Sequence, residues 1–198
     1  MPNGECFMRY RRSLTAVAAL VLGAIALLAS TGAASAEADM AGTAGRHYAA
    51  EARTSGLTAA EARDLQNRVN QQLAQTGGKQ VAANKIEYAG GAYLLLGLPG
   101  EKYARELNQP VAVMPTCNSG WFCAWRGTAF TGDKLSGYYC SQWITMPWAG
   151  EGSWVNNQTL GTRAHFLDKN MSYFYTTDGA YSADAFYDWT PVYWVDPC

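Results

Sequence analysis

The chain has 198 residues and a mass of 21.5 kDa, which suits one large domain or two small ones and excludes a multidomain enzyme. Fifteen Lys and Arg stand against sixteen Asp and Glu, so the chain lacks the basic excess by which a nucleic-acid binder neutralises phosphates. Only His47 and His165 supply imidazole, which leaves little for metal ligation or acid–base chemistry at neutral pH.

Residues 1–36 read as an export signal. Arg9, Arg11 and Arg12 precede an apolar stretch from Leu14 to Leu28, and Ala34-Ser35-Ala36 offers a small-x-small cleavage site before Glu37. Fifteen apolar residues fall short of the roughly 20 that cross a bilayer, so no membrane association is expected after cleavage. Removal of this segment takes three basic residues and one acidic residue, leaving 12 against 15 and a net charge of −3.

The mature chain changes character near residue 117. Four aromatic residues occur in 37–116, whereas 19 occur in 117–198, including all seven tryptophans. Residues 37–56 are rich in Ala, Gly and Thr without apolar periodicity and are expected to be a disordered leader. A small α+β unit is expected over 57–108. Thr58-Ala59-Ala60-Glu61 is a capping-box pattern, Leu65, Val69 and Leu73 recur every four residues, and Gly77-Gly78 supplies a stop. Apolar runs 81–88 and 92–98 around Ala89-Gly90-Gly91 predict a hairpin, giving an α-β-β order. Either packing or a pro-segment role fits such a unit.

Short aromatic and β-branched runs at 121–125, 134–140, 163–167, 171–176 and 191–195, bounded by Gly, Asn, Asp and Pro, predict an all-β sandwich or barrel over 117–198. Once Cys6 leaves with the signal, Cys117, Cys123, Cys140 and Cys198 form an even set without C-x-x-C pairs or supporting His, which fits two disulfides better than zinc. Three pairings satisfy the count. Cys117 with Cys123 closes a tight loop and leaves Cys140 with Cys198, the pairing we favour.

Trp125, Phe130 and Gly132 form an aromatic-x4-aromatic-x-Gly pattern, the mark of a folded hairpin with one ring packed over the turn and Gly in a conformation a Cβ would penalise. Placed just after Cys117-x5-Cys123 in an exported chain, this pattern resembles the βγ-crystallin-like Greek key of secreted actinomycete peptidase inhibitors of the metalloproteinase-inhibitor type. The resemblance covers roughly 117–198. It implies an all-β Greek-key domain that binds an extracellular peptidase as a monomer, without catalysis, cofactor or resident metal. The calcium motif common in crystallin-like domains is degraded here, because Leu160 and Gly161 follow Asn156-Asn157-Gln158-Thr159, and the two asparagines are expected to bond local backbone instead.

Two loops are candidates for the inhibitory surface. One is the Cys117–Cys123 loop with Trp121 and Phe122, and the other is 146–152 with Pro147 and Trp148. An enzyme would need a nucleophile and base or a carboxylate pair. His165 sits alone on an apparent strand, and Asp133, Glu151, Asp168, Asp178, Asp184 and Asp188 lie in turn-like contexts expected to be solvated loops. The competing reading is a carbohydrate or cell-wall binding module, which would display three or more coplanar, solvent-facing rings.

Overall fold

The computed structural model describes residues 45–198, and the expected signal segment 1–36 lies outside the described residues. Most of the described chain is antiparallel β-sheet, with two helices at its start.

Helix α1 occupies residues 45–54, where a disordered leader is expected. Its contacts explain why no apolar stripe marks it. Ala52 supplies the buried contact, Tyr48 donates its hydroxyl to the Gln80 carbonyl at 2.9 Å, and the Glu51 carboxylate accepts from the Ala83 amide at 2.9 Å. Helix α2, Ala59–Thr76, starts at the expected capping box: Glu61 accepts from the Thr58 amide at 2.8 Å and its own amide donates to the Thr58 hydroxyl. Ala62, Leu65 and Val69 form its buried stripe, and Gly77 closes it by donating its amide hydrogen to the Leu73 carbonyl.

Three strands follow: β1 (Lys79–Ala82), β2 (Lys85–Glu87) and β3 (Tyr93–Leu95). The Ala89-Gly90-Gly91 turn lies where expected, between β2 and β3. The run 81–88, expected as one strand, is broken at Ala83-Asn84, because buried Asn84 turns its amide to the Leu96 and Arg105 carbonyls.

The remaining strands are β4 (Trp121–Gly127), β5 (Thr131–Gly137), β6 (Ile144–Thr145), β7 (Glu151–Asn157), β8 (His165–Leu167), β9 (Tyr173–Thr176), β10 (Ser182–Asp188) and β11 (Trp194–Asp196). They build two sheets, ordered β1-β2-β3-β5-β4-β7-β10 and β6-β11-β8-β9. The exchange between them is reciprocal: β6, between β5 and β7 in the chain, crosses to the second sheet, whereas β10, between β9 and β11, crosses to the first. The expected strand list lacked β6, β7 and β10. In β7 the buried residues run on without alternation, Gly152 and Ser153 before Trp154 and Val155 and then Asn156, and a Cβ on Gly152 would collide with the Trp189 indole and the Trp125 carbonyl.

Segment 57–108 is not a separate unit. β3 pairs with β5, Leu94 opposite Leu135, so its three strands extend the sheet of the cysteine-bearing half. One core runs through both halves, from Leu65, Val69 and Ile86 through Phe122 and Leu135 to Trp154, Phe166 and Trp189. A polar clasp adds to it. The Asp133 carboxylate accepts from the Gly97 amide at 2.7 Å and from the Arg68 guanidinium of α2, with Arg126 at 3.5 Å. Asp133 is therefore buried rather than in a solvated loop, because its carboxylate is the acceptor that the turn at Gly97 and the helix both need.

Candidate functional site

The two disulfides join Cys117 to Cys123 and Cys140 to Cys198. The first closes a loop whose tip is Asn118-Ser119-Gly120, all exposed, with Trp121 and Phe122 already on β4. Phe122 is 1% exposed and packs against Trp154 and Phe166, so it belongs to the core and is not an inhibitory anchor. Trp121 is half-buried between Tyr93 and Tyr138. In the second candidate loop Pro147 is buried and Trp148 half-buried against the main core. Neither loop offers a free aromatic ring to a partner. The strand period separates the two rings of the first loop: Phe122 points into the main core, whereas its neighbour Trp121 points to the opposite face of β4, where Tyr93 and Tyr138 cover it.

Trp125, Phe130 and Gly132 form the expected hairpin between β4 and β5. The two rings meet edge to face at 5.5 Å, and Gly132 takes φ +78°. Buried Ser153 on β7 locks the turn by accepting from the Phe130 amide at 2.9 Å and donating to the Gly127 carbonyl at 2.7 Å. These residues are a structural signature inside the fold.

An exposed apolar segment lies just before Cys117. Residues 110–116, Pro-Val-Ala-Val-Met-Pro-Thr, run from the end of the α-β-β half to Cys117 without regular structure. Val111, Val113 and Met114 are 62%, 88% and 63% exposed. No backbone–backbone hydrogen bond among the described residues involves 110–116. Both ends are nonetheless pinned. Arg105 donates to the Gln109 carbonyl at 2.6 Å, and that arginine is itself held by Glu101. At the far end Lys134 donates to the Thr116 carbonyl at 3.0 Å and Asn157 donates to the Cys117 carbonyl at 2.9 Å. The result is an apolar strap held between fixed posts and bent at Val113-Met114, over a hollow of about 500 Å³ lined by Tyr93, Leu95, Glu106 and Lys134. Burial draws the Lys134 ammonium down to about 8, an effect that Glu106 opposes and Lys85 reinforces. The sequence signal for the strap was present: two prolines bracketing an apolar run with no alternation, directly before a short disulfide loop.

Against the expectation of local backbone bonds, Asn156 and Asn157 spend their amides mostly on distant segments, the first on the Thr162 and Asp178 carbonyls and the Thr177 hydroxyl, the second on the Cys117 carbonyl. His165 sits on β8 with Nδ1 2.9 Å from the Thr176 hydroxyl.

Seven aromatic side chains are exposed among the described residues: Tyr139, Trp143, Tyr173, Phe174, Tyr181, Phe186 and Tyr193. Of the seven tryptophans only Trp143 is exposed, at 42%, and it meets Tyr173 at an interplanar angle of 86°. Among the described residues no helix is long and apolar enough to cross a membrane, and the two disulfides suit an oxidising compartment. No family model matches the chain, and neither does any curated protein or solved structure.

Proposed function

We propose that the protein is a secreted inhibitor of an extracellular peptidase, built on a βγ-crystallin-like pair of Greek keys and docking the 110–116 strap into the active-site cleft. The Greek-key reading is supported by the reciprocal exchange of β6 and β10 between sheets and by the Ser153-locked hairpin at Trp125 and Phe130. Secretion is supported by the export-type segment 1–36 together with the paired cysteines.

One observation carries the inhibitor reading: the strap is an exposed, apolar stretch without backbone–backbone pairing, bent at Val113-Met114, whose ends are already held. Peptidases bind substrates as extended strands and bury alternate side chains in pockets. A segment ordered before docking loses less entropy on binding, so it holds its place in a cleft better than a flexible substrate does. The exposed side chains are aliphatic, which favours a peptidase with an apolar primary pocket, and metallopeptidases of the thermolysin type are the first targets to try. The carbohydrate reading is less well supported, because among the seven exposed aromatic residues the one close ring pair, Trp143 with Tyr173, stands edge to face instead of forming a stacking platform.

The test is to incubate purified residues 37–198 with a panel of metallo- and serine peptidases and follow cleavage of small chromogenic substrates. Slowing of at least one enzyme at micromolar protein is expected. A folded protein that slows none of them removes the reading.

A further inference from the structure

Beyond inhibition, we infer that the strap is a processing site: a peptidase preferring medium-sized apolar side chains cuts it once between Val111 and Met114, and the protein persists as two chains held together without a covalent link.

The position of the cut follows from exposure and backbone pairing. A peptidase can act only on a segment it can draw into its cleft, and elsewhere the described chain is largely committed to helices, strands and tight turns. In the strap, Val113 is 88% exposed, and residues 110–116 make no backbone–backbone hydrogen bond that a peptidase would have to break. Pro110 and Pro115 narrow the site further, since bonds to proline nitrogen are poor substrates for most peptidases. This removes Gln109–Pro110 and Met114–Pro115, and of the remaining bonds Val111–Ala112, Ala112–Val113 and Val113–Met114 are the ones that lie between the exposed apolar side chains. The reaction is ordinary hydrolysis: one water adds across one amide, yielding a carboxylate on the upstream chain and an ammonium on the downstream chain.

Persistence after the cut follows from how each half is held. Both disulfides lie downstream of the strap, so neither ties the halves together. What ties them is the shared sheet and core. Tyr93, Leu94 and Leu95 pair with Ser136, Leu135 and Lys134. Gly132 donates to the Lys102 carbonyl at 3.2 Å, and Asp133 holds both Gly97 and Arg68. The apolar cluster joining Ile86 and Leu94 to Phe122 and Leu135 is buried on both sides of the cut. Each new chain end is also anchored within its own half, Gln109 by Arg105 upstream and Thr116 by Lys134 downstream. Cutting therefore releases the strap's middle and little else.

This inference uses the strap's accessibility and the shared core, and it stands or falls apart from inhibition. The experiment treats the secreted chain with trace thermolysin and reads it in three ways. Mass spectrometry locates the first cut, a non-reducing denaturing gel counts the chains, and native size exclusion asks whether they travel together. The expected result is a first cut within 111–114, two bands without reduction, and one native peak at the uncut position. A first cut elsewhere, an uncut protein after an unfolded control is digested, or halves that separate on the native column would each overturn it. The double variant Val113→Asp with Met114→Asp, which puts charge where an apolar pocket reads, should slow the first cut by about tenfold or more with an unchanged melting temperature. An unchanged rate counts against the site. Residual thermolysin activity on a small peptide, measured in the same tubes, reports on inhibition separately.

Discussion

Asp133 offers the sharpest test of the claim that the α-β-β half and the cysteine-bearing half fold as one body. In the Asp133→Ala variant the buried Gly97 amide loses its charged acceptor, a loss of about 1–3 kcal/mol. The ion pair with Arg68 goes too, but that side chain is 37% exposed, so solvent screening limits this part to about 1 kcal/mol. Together the variant should lose about 3 kcal/mol, which at a urea slope of about 2 kcal/mol/M moves the midpoint down by roughly 1.5 M. Arg68→Ala, alone and combined with Asp133→Ala, completes a cycle whose coupling should be about 1 kcal/mol. The assay follows unfolding by tryptophan fluorescence, which reports only on residues after 117, and by helical circular dichroism, which reports on α1 and α2. Both signals should shift together by the same amount. If the helical signal melts first while the tryptophan transition stays at its wild-type midpoint, the halves are independent and the shared-core argument is wrong.

Two further outcomes are expected. Lys134 is protonated in the unfolded chain up to about pH 10.5 but in the folded chain only up to about 8, so the unfolded state binds more protons between those values and stability should rise with pH across that window, by roughly 3 kcal/mol in all. Half-buried Tyr88 and Tyr187, whose hydroxyls desolvation pushes above their ordinary value, act in the opposite sense above pH 10. The comparison with Lys134→Met, which should lack the rise between pH 8 and 10, isolates the lysine by thermal melting. Ser153→Ala removes the partner of both the Phe130 amide and the Gly127 carbonyl and should cost about 1–3 kcal/mol in urea unfolding; a cost below 0.5 kcal/mol would mean that the hairpin does not depend on this serine.

The parts of the fold that were legible in the sequence are those fixed by local chemistry. The Thr58 and Glu61 capping box, the stripe of Leu65 and Val69 and the Gly77 stop predicted α2 because each acts within a turn or two of helix. The short loop between Cys117 and Cys123 favoured their pairing, and the Trp125, Phe130 and Gly132 spacing described a turn that exists as such. Features decided by distant neighbours were not legible. Helix α1 is held by Tyr48, Glu51 and Ala52 against β1 and the turn after it, partners some 30 residues away, so no local period betrays it. β7 carries Gly152 and Ser153 because Trp189 and the folded hairpin leave no room for more, and in sequence such residues look like a loop. The same blindness displaced the candidate site. Trp121, Phe122, Pro147 and Trp148 looked like anchors by residue type, yet two are buried and two half-buried, whereas the exposed strap carries plain aliphatic side chains.

The most direct measurement is a paired inhibition constant against the panel peptidase most strongly slowed, for the wild-type protein, Val113→Asp and Trp143→Ala. Burial of Val113 in an apolar pocket predicts that the aspartate variant weakens inhibition by about thirtyfold, roughly 2 kcal/mol, while Trp143→Ala stays within twofold of wild type. Full inhibition by Val113→Asp, with the loss appearing instead in Trp143→Ala, would place the working surface on the aromatic side of the molecule and contradict the account.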